Sequence, residues 1–275
     1  MRTGTNINLS QLLRFAFYPL WLRWKLGEGG IWIFNVLHAY FSTHDVMWAI
    51  ATGLHSILTL CALYGYNDYA DRYNDRLNPK KFQPFVEEIN NNQQIFLIVI
   101  IFLTILSITY GLLFWKYKQS WGLFLLYIVN FAYSSFFKSL PVLDIIIVGI
   151  WGGLLTVLAP RVNLSLCVIS GLMTSIAHIH QIEHDIEIDR ITNVNTSAVK
   201  LRKFTLYMKN TLGLCTGYSV WLSSRSLLMA FMILIPISIG FSNQNILIKW
   251  YIWRIYFLIS WIYILIHVYE TKIIL

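Results

Sequence analysis

Long apolar stretches alternate with short polar ones along almost the whole chain, and the apolar stretches are of membrane-crossing length. A helix needs about 20 apolar residues to cross a hydrocarbon layer roughly 30 Å thick. Runs of this kind fall near 26–42, 46–66, 95–115, 119–137, 142–160, 164–182, 205–222, 226–243 and 247–269, which predicts nine helices. The first run is interrupted by Glu28 and several glycines, and the seventh carries Lys209, Asn210 and Thr211. The predicted fold class is therefore all-α, a polytopic transmembrane bundle of about nine helices. No soluble second domain, linker or low-complexity tail interrupts it, so residues 1–275 read as one transmembrane domain. Residues 1–25 differ from the rest. Arg2, Arg14, Arg23 and Lys25 are spread among Phe, Trp and Tyr, without a compact apolar core or a small-residue cleavage site. That pattern excludes a cleavable signal and predicts an interfacial helix leading into the first span.

Composition agrees with this reading and narrows it. The 275 residues are 57% hydrophobic and 12% charged, with a mean hydropathy of +0.58. Soluble domains carry roughly 25% charged residues, so a globular protein with a single anchor is excluded. The net charge of +8 raises the question of a nucleic-acid partner, but its distribution answers it. Basic residues gather in the N-terminal segment, in 72–81 (Arg72, Arg76, Lys80, Lys81) and in 190–203 (Arg190, Lys200, Arg202, Lys203). The alternate loops hold only a few, Lys116, Lys118, Arg161 and Arg225. This asymmetry follows the positive-inside rule and predicts a cytoplasmic N-terminus. The same cations suit a polyanionic substrate. Cys61, Cys167 and Cys215 are scattered within spans and lack metal-ligand spacing, so they read as packing residues.

Two acidic clusters carry the chemistry. Asn67, Asp68, Asp71 and Asp75 follow the second apolar run. On a helix of ~3.6 residues per turn the three aspartates share one face. Carboxylates held that close repel one another unless a cation sits between them. Asp185 and Asp189, spaced i, i+4, follow the sixth run. By the charge asymmetry, both clusters lie on the cytoplasmic side. Carboxylate oxygens are the donors Mg2+ prefers, and Mg2+ is usually shared with substrate phosphates. Two such clusters at helix ends predict a diphosphate site bridged by divalent metal.

The same residues resemble a known family. Asn67-Asp68-x-x-Asp71-x-x-x-Asp75 matches in full the first Asp-rich motif, NDxxDxxxD, of the UbiA superfamily of intramembrane prenyltransferases. Asp185-Ile186-Glu187-Ile188-Asp189-Arg190 is similar to its second motif, DxxxD. Tyr133-Ser134 and Lys138, after the fourth span, look like the family's Tyr-Ser…Lys segment. The resemblance covers residues 44–200 by motif and the remainder by hydropathy. It implies nine helices around a large central cavity, and a prenyl diphosphate bound through two Mg2+ ions, one held by each Asp motif. It also implies an allylic carbocation, which an acceptor then attacks; the acceptor is often aromatic.

With that resemblance, Asn67, Asp68, Asp71 and Asp75 are the expected ligands of one ion, and Asp185 and Asp189 those of the other. Asn67, Arg72, Lys81, Lys138 and Arg190 are the expected diphosphate ligands. Lys138 and Tyr133 are the expected catalytic pair, Lys138 stabilising the leaving group and Tyr133 flanking the cation. Tyr64, Tyr66, Phe131, Phe136 and Phe137 are candidates to line the prenyl tunnel, since ring faces stabilise cations. His178 and Gln181 share the Asp185 face of span six and point toward an acceptor or a metal-bound group, or simply bond to a neighbouring helix. Gly149, Gly152 and Gly153 predict close helix approach in span five. The chain departs from the family where Gln83 replaces an arginine after the first motif and Ile188 replaces a glycine in the second. The glycine of the following segment is also missing from 192–197. The leading expectation is a prenyltransferase with a hydrophobic or aromatic acceptor. The alternatives are a membrane terpene cyclase using the same metals without an acceptor, and a transporter or scaffold. The helix-end acids argue against a transporter, whose sites lie near mid-bilayer.

Overall fold

The computed structural model describes residues 8–25, 31–79, 81–114, 117–224, 226, 230 and 246–270. Among the described residues every regular element is helical. In order these are α1 (Leu9–Lys25), α2 (Ile31–Thr43), α3 (Val46–Asp75), α4 (Gln83–Asn91), α5 (Gln93–Phe114) and α6 (Tyr117–Ala132). A π-helical turn (Tyr133–Phe137) extends α6. Then follow α7 (Leu143–Leu154) with a 3-10 turn (Leu155–Leu158), α8 (Leu164–Ile191), α9 (Ser197–Lys200), α10 (Arg202–Ser224) and α11 (Ile246–Glu270). Eight of the nine expected spans coincide with these helices. The run at 226–243 lies outside the described residues apart from Ser226 and Ala230. By length and composition, α3, α5, the α6 stretch Ser120–Phe137 and α8 can cross a membrane; Leu143–Leu158 and Leu258–Tyr269 are shorter apolar helices.

Helix length places the acids. α3 has 30 residues and α8 has 28, about 45 and 42 Å at 1.5 Å per residue. Both exceed a hydrocarbon thickness of roughly 30 Å. The surplus turns at their C-terminal ends carry Asp68–Asp75 and Asp185–Asp189. Each long helix has a side-chain cap at its start: Asp45 accepts from Met47 N at 2.7 Å and Asn163 from Leu166 N at 3.2 Å, which satisfies amides that a helix leaves unpaired.

Neighbouring helices close a ring in the order α2, α3, α5, α6, α7, α8, α10, α11 and back to α2. The α7–α8 seam is the most extensive contact of the fold. It exists because neither helix puts bulk there. A Cβ on Gly171 would lie 2.7 Å from the Gly149 carbonyl oxygen, and one on Gly153 would lie 2.8 Å from that of Cys167. The expectation for the glycines of span five holds, for the packing reason given. Elsewhere polar side chains bond across the helices: His55 Nε2 to Ser107 O at 3.1 Å, Thr59 Oγ1 to Ser107 Oγ at 2.7 Å, and Asn130 Nδ2 to Leu63 O at 3.2 Å. The three cysteines are free.

The N-terminal helix is more deeply engaged than an interfacial segment needs to be. One face of α1 packs on α3 and α5. Its Phe15 is 1% exposed and lies in a core cluster with Phe85, Ile89, Phe96 and Ile100. Arg14 pairs with Glu88 of α4, and Arg23, two turns further on, is buried.

Candidate active site

The last turns of α3 present Asp68, Asp71 and Asp75 on one face, all at least 92% buried. Buried carboxylates are costly unless paired, and each here meets a cation from a different segment. Arg23 of α1 grips Asp68 with both ends of its guanidinium, Nη2 to Oδ1 at 2.6 Å and Nη1 to Oδ2 at 2.9 Å. This is the bidentate form that binds most strongly. Lys138 Nζ lies 2.5 Å from Asp71 Oδ2, and Lys81 Nζ lies 3.0 Å from Asp75 Oδ2. Asn67 Oδ1 accepts from Ser134 Oγ at 3.2 Å. Of the expected residues, Asn67, Asp68, Asp71, Asp75, Lys81 and Lys138 are thus brought together.

Lys138 is delivered by the π turn. The wider turn from Tyr133 to Phe137 ends in a bond from Lys138 N to Tyr133 O at 2.9 Å, and such turns often mark functional sites. Burial alone would pull the lysine pKa down. The charge of Asp71 and the influence of Tyr133 and Asp75 more than reverse this, so it lies above the ordinary lysine range and the ammonium is fully charged. Its charge also bears on Asp189 of α8, as do those of Asp185 and Asp71. The two acidic ends therefore share one electrostatic site, in which Lys138 pairs with Asp71 and its charge is felt at Asp189.

The second cluster is built differently. Asp185 and Asp189 are half-buried. Asp185 Oδ1 lies 2.9 Å from His184 Nδ1, and Asp189 Oδ2 accepts from Thr196 Oγ1 at 3.1 Å. Above this, His178 stands edge-on to the Tyr133 ring, centroids 5.8 Å apart at 83°. His178 Nε2 has no hydrogen-bond partner among the described residues.

Not every expected ligand points into this space. Arg72 stacks between the rings of Tyr69 and Tyr73, at 4.1 and 4.3 Å, and donates to Tyr69 O. Arg190 is exposed at the end of α8. Phe131 and Phe136 are exposed. Tyr64 lies beneath the Arg23 guanidinium, 5.2 Å from its ring centre, and against Trp151. Gln83, the departure from the family pattern, closes the loop after α3 by donating to Asp75 O at 3.1 Å and Asn78 O at 2.7 Å.

Sequence reasoning missed Arg23, Asp144, Thr196 and Ser197. A signal existed for the first two. Arg23 sits between Leu22 and Trp24, and Asp144 is a lone acid in an apolar run; a charge in such company has to find a partner.

Among the described residues, no three His, Cys, Asp or Glu side chains converge into a ready-made metal cage. The donor chemistry still fits a hard cation: five carboxylates and an amide, all oxygen donors of the kind Mg2+ takes along with water and phosphate oxygens.

Comparison with known proteins completes the picture. The sequence matches the UbiA prenyltransferase family over residues 30–260. Searched against curated proteins, it matches none. Among solved structures it is similar to a UbiA homologue from Archaeoglobus fulgidus bound to DMAPP and Mg2+, at a TM-score of 0.65 and 16% identity, covering 92% of this chain and 98% of that one. The same homologue bound to GPP and Mg2+ also gives 0.65 and 16%, over 92% and 99% of the two chains. A digeranylgeranylglyceryl phosphate synthase in membranes gives 0.71 and 14%, over 94% and 99%. At these identities the structures establish a common fold, and the family match extends over most of the sequence. The helical ring, the paired acids at its end and that match together make this chain an integral membrane protein that belongs to the UbiA prenyltransferase family.

Proposed function

We propose that the protein is an intramembrane prenyltransferase that moves an isoprenoid group from its diphosphate to a hydrophobic or aromatic acceptor. The observation that carries this reading is the convergence of Asp68, Asp71 and Asp75 with Arg23, Lys81 and Lys138, within electrostatic reach of Asp189. Among the described residues brought together here, Asp68, Asp71, Asp75, Asp185 and Asp189 stand with Arg23, Lys81 and Lys138. A bare diphosphate would be repelled, whereas one carried by divalent metal is accepted. Asp68, Asp71, Asp75 and Asn67 are suited to hold one Mg2+, and Asp185 and Asp189 a second. Bound there, the metal neutralises charge building on the departing diphosphate without proton transfer. The cations now paired to carboxylates are the natural partners of phosphate oxygens: Arg23 as a fork, Lys81 and Lys138 as point charges. Lys138, paired to Asp71 and with its charge felt at Asp189, is suited to face the oxygen on which charge accumulates. Tyr133 sits beside it with an aromatic face for the allylic cation.

The Lys/Arg asymmetry of the loops supports a cytoplasmic location for both acidic ends. A cysteine at exposed Glu87 on α4, in a chain without its three native cysteines, should resist an impermeant thiol reagent applied outside intact cells. Labelling from outside would reverse this topology.

Purified protein in lipid nanodiscs, given prenyl diphosphates of several lengths with Mg2+ and candidate aromatics, tests the activity. Diphosphate release that depends on acceptor supports the transferase. Release with a cyclised hydrocarbon and no acceptor would replace it with a cyclase. No metal-dependent release in either case sinks both.

A further inference from the structure

We infer that Asp144, outside both acidic motifs, is a positioning residue that sets the second metal-binding carboxylate and the Lys138 turn in one register. Asp144 is completely buried at the start of α7. Its carboxylate takes three hydrogen bonds: from Ser197 N at 2.8 Å on Oδ2, and from Ser197 Oγ at 2.5 Å and Ile145 N at 2.9 Å on Oδ1. Ser197 Oγ in turn accepts from Val142 N at 2.7 Å. One serine therefore joins the chain that follows Lys138 to the connection between α8 and α10.

What that connection does is decided one residue earlier. Thr196 Oγ1 is the hydroxyl that donates to Asp189 Oδ2. Thr196 is 2% and Ser197 0% exposed, so neither hydroxyl has water to turn to. The Asp189 carboxylate takes its orientation from a threonine whose place is fixed through Ser197 by Asp144. The other arm of the bond network bears on the Lys138 turn. Val142 has φ 75°, a left-handed conformation costly for a β-branched residue. Strain of this kind persists only where surrounding contacts impose it, and Val142 N bonded to Ser197 Oγ is such a contact. A buried carboxylate with charge-assisted bonds to a loop is stiffer than the neutral contacts around it. Partners that orient a ligating carboxylate typically change metal affinity by about 10–100-fold when removed.

The inference rests on Asp185 and Asp189 binding metal, so its test separates the two. Mn2+ binding to the full-length protein in nanodiscs with inorganic diphosphate is followed by loss of the free-ion paramagnetic resonance signal, and melting is recorded without metal. Asp185→Ala probes the parent reading, and if it leaves Mn2+ binding unchanged that reading fails. With that binding lost in Asp185→Ala, Asp144→Asn and Thr196→Val should each weaken the second Mn2+ by about 10-fold or more. Thr196→Val should add little when combined with Asp144→Asn, because both act through Asp189. Ser197→Ala keeps the amide bonded to Asp144 and removes both hydroxyl bonds; it should weaken Mn2+ binding by a smaller factor with little change in melting. It also decides the matter should Asp144→Asn fail to fold. Wild-type Mn2+ affinity in Thr196→Val and Ser197→Ala, or a lowered melting temperature with unchanged affinity in Asp144→Asn, overturns the inference and leaves Asp144 as a latch of the fold alone.

Discussion

The two acidic helix ends carry the same side chains in opposite surroundings. On α3, Asp68, Asp71 and Asp75 are buried, and each is bound to a cation from a distant segment: α1, the turn after α6, and the loop before α4. On α8, Asp185 and Asp189 are half-buried; Asp185 meets the neighbouring His184, and Asp189 accepts from Thr196. The first cluster is therefore a fold element as well as a site, since its ion pairs tie three segments to α3. The second is more open to water, which screens its charges. Removing a carboxylate should abolish the same chemistry in both places and disturb the structure in only one.

The largest effects test the chemistry the two clusters share. Chelation should stop turnover completely. Mg2+ or Mn2+ should restore it and Ca2+ should do so poorly, because Ca2+ prefers more ligands at longer distances. Full activity in excess EDTA would remove the metal from the account. Asp71→Ala and Asp185→Ala should each reduce turnover to background while the protein still inserts into the membrane; near wild-type rates in both would discard the two-cluster site.

The contrast itself is tested by stability. Asp68→Ala leaves the Arg23 guanidinium, with 8% of its side chain exposed, without the carboxylate it grips. Breaking a buried pair from one side typically costs about 3–5 kcal/mol. Asp185→Ala, in a half-exposed place, should cost no more than about 1 kcal/mol. Equal melting temperatures for the two variants would erase the distinction drawn between the clusters.

Lys138 pairs with the first cluster and acts electrostatically on the second, and should show an intermediate effect. Lys138→Ala should lower the rate by about 10²–10³-fold, the usual loss for one group that stabilises developing charge. Lys138→Arg should be only partly tolerated, because a planar fork does not replace a compact ammonium. An unchanged rate in the alanine variant would return this lysine to the ordinary basic residues of the loops. The smallest effect is also the most specific. Arg23→Met leaves Asp68 without its cation, so adding Mg2+ should raise the melting temperature of this variant more than that of the wild type. Equal rises would mean that metal does not reach Asp68.

Much of the fold and half of the site are legible in the order of residues alone. The apolar runs predict the helices because burial in lipid demands about 20 apolar residues per crossing, a requirement any stretch meets or fails by itself. The acid motifs are legible because helical spacing alone puts Asp68, Asp71 and Asp75 on one face. The glycines of α7 signal close packing for the same local reason. Arg72 is the counterexample. Proximity in sequence to an acidic motif makes it a candidate, but a helix turns ~100° per residue, and Arg72 faces Tyr69 and Tyr73 instead of the acids.

Composition and periodicity, then, determined that this chain is a helical membrane protein with two carboxylate clusters at helix ends, because those properties depend on residues close together in the chain. Only the tertiary structure decided which cation meets which carboxylate. Arg23 reaches Asp68 across 45 positions, Lys138 reaches Asp71 across 67, and Asp144 reaches Ser197 across 53. No local pattern specifies such pairs. They form because a charge that packing buries takes the partner that packing brings within reach, and that partner is chosen by how the helices close their ring.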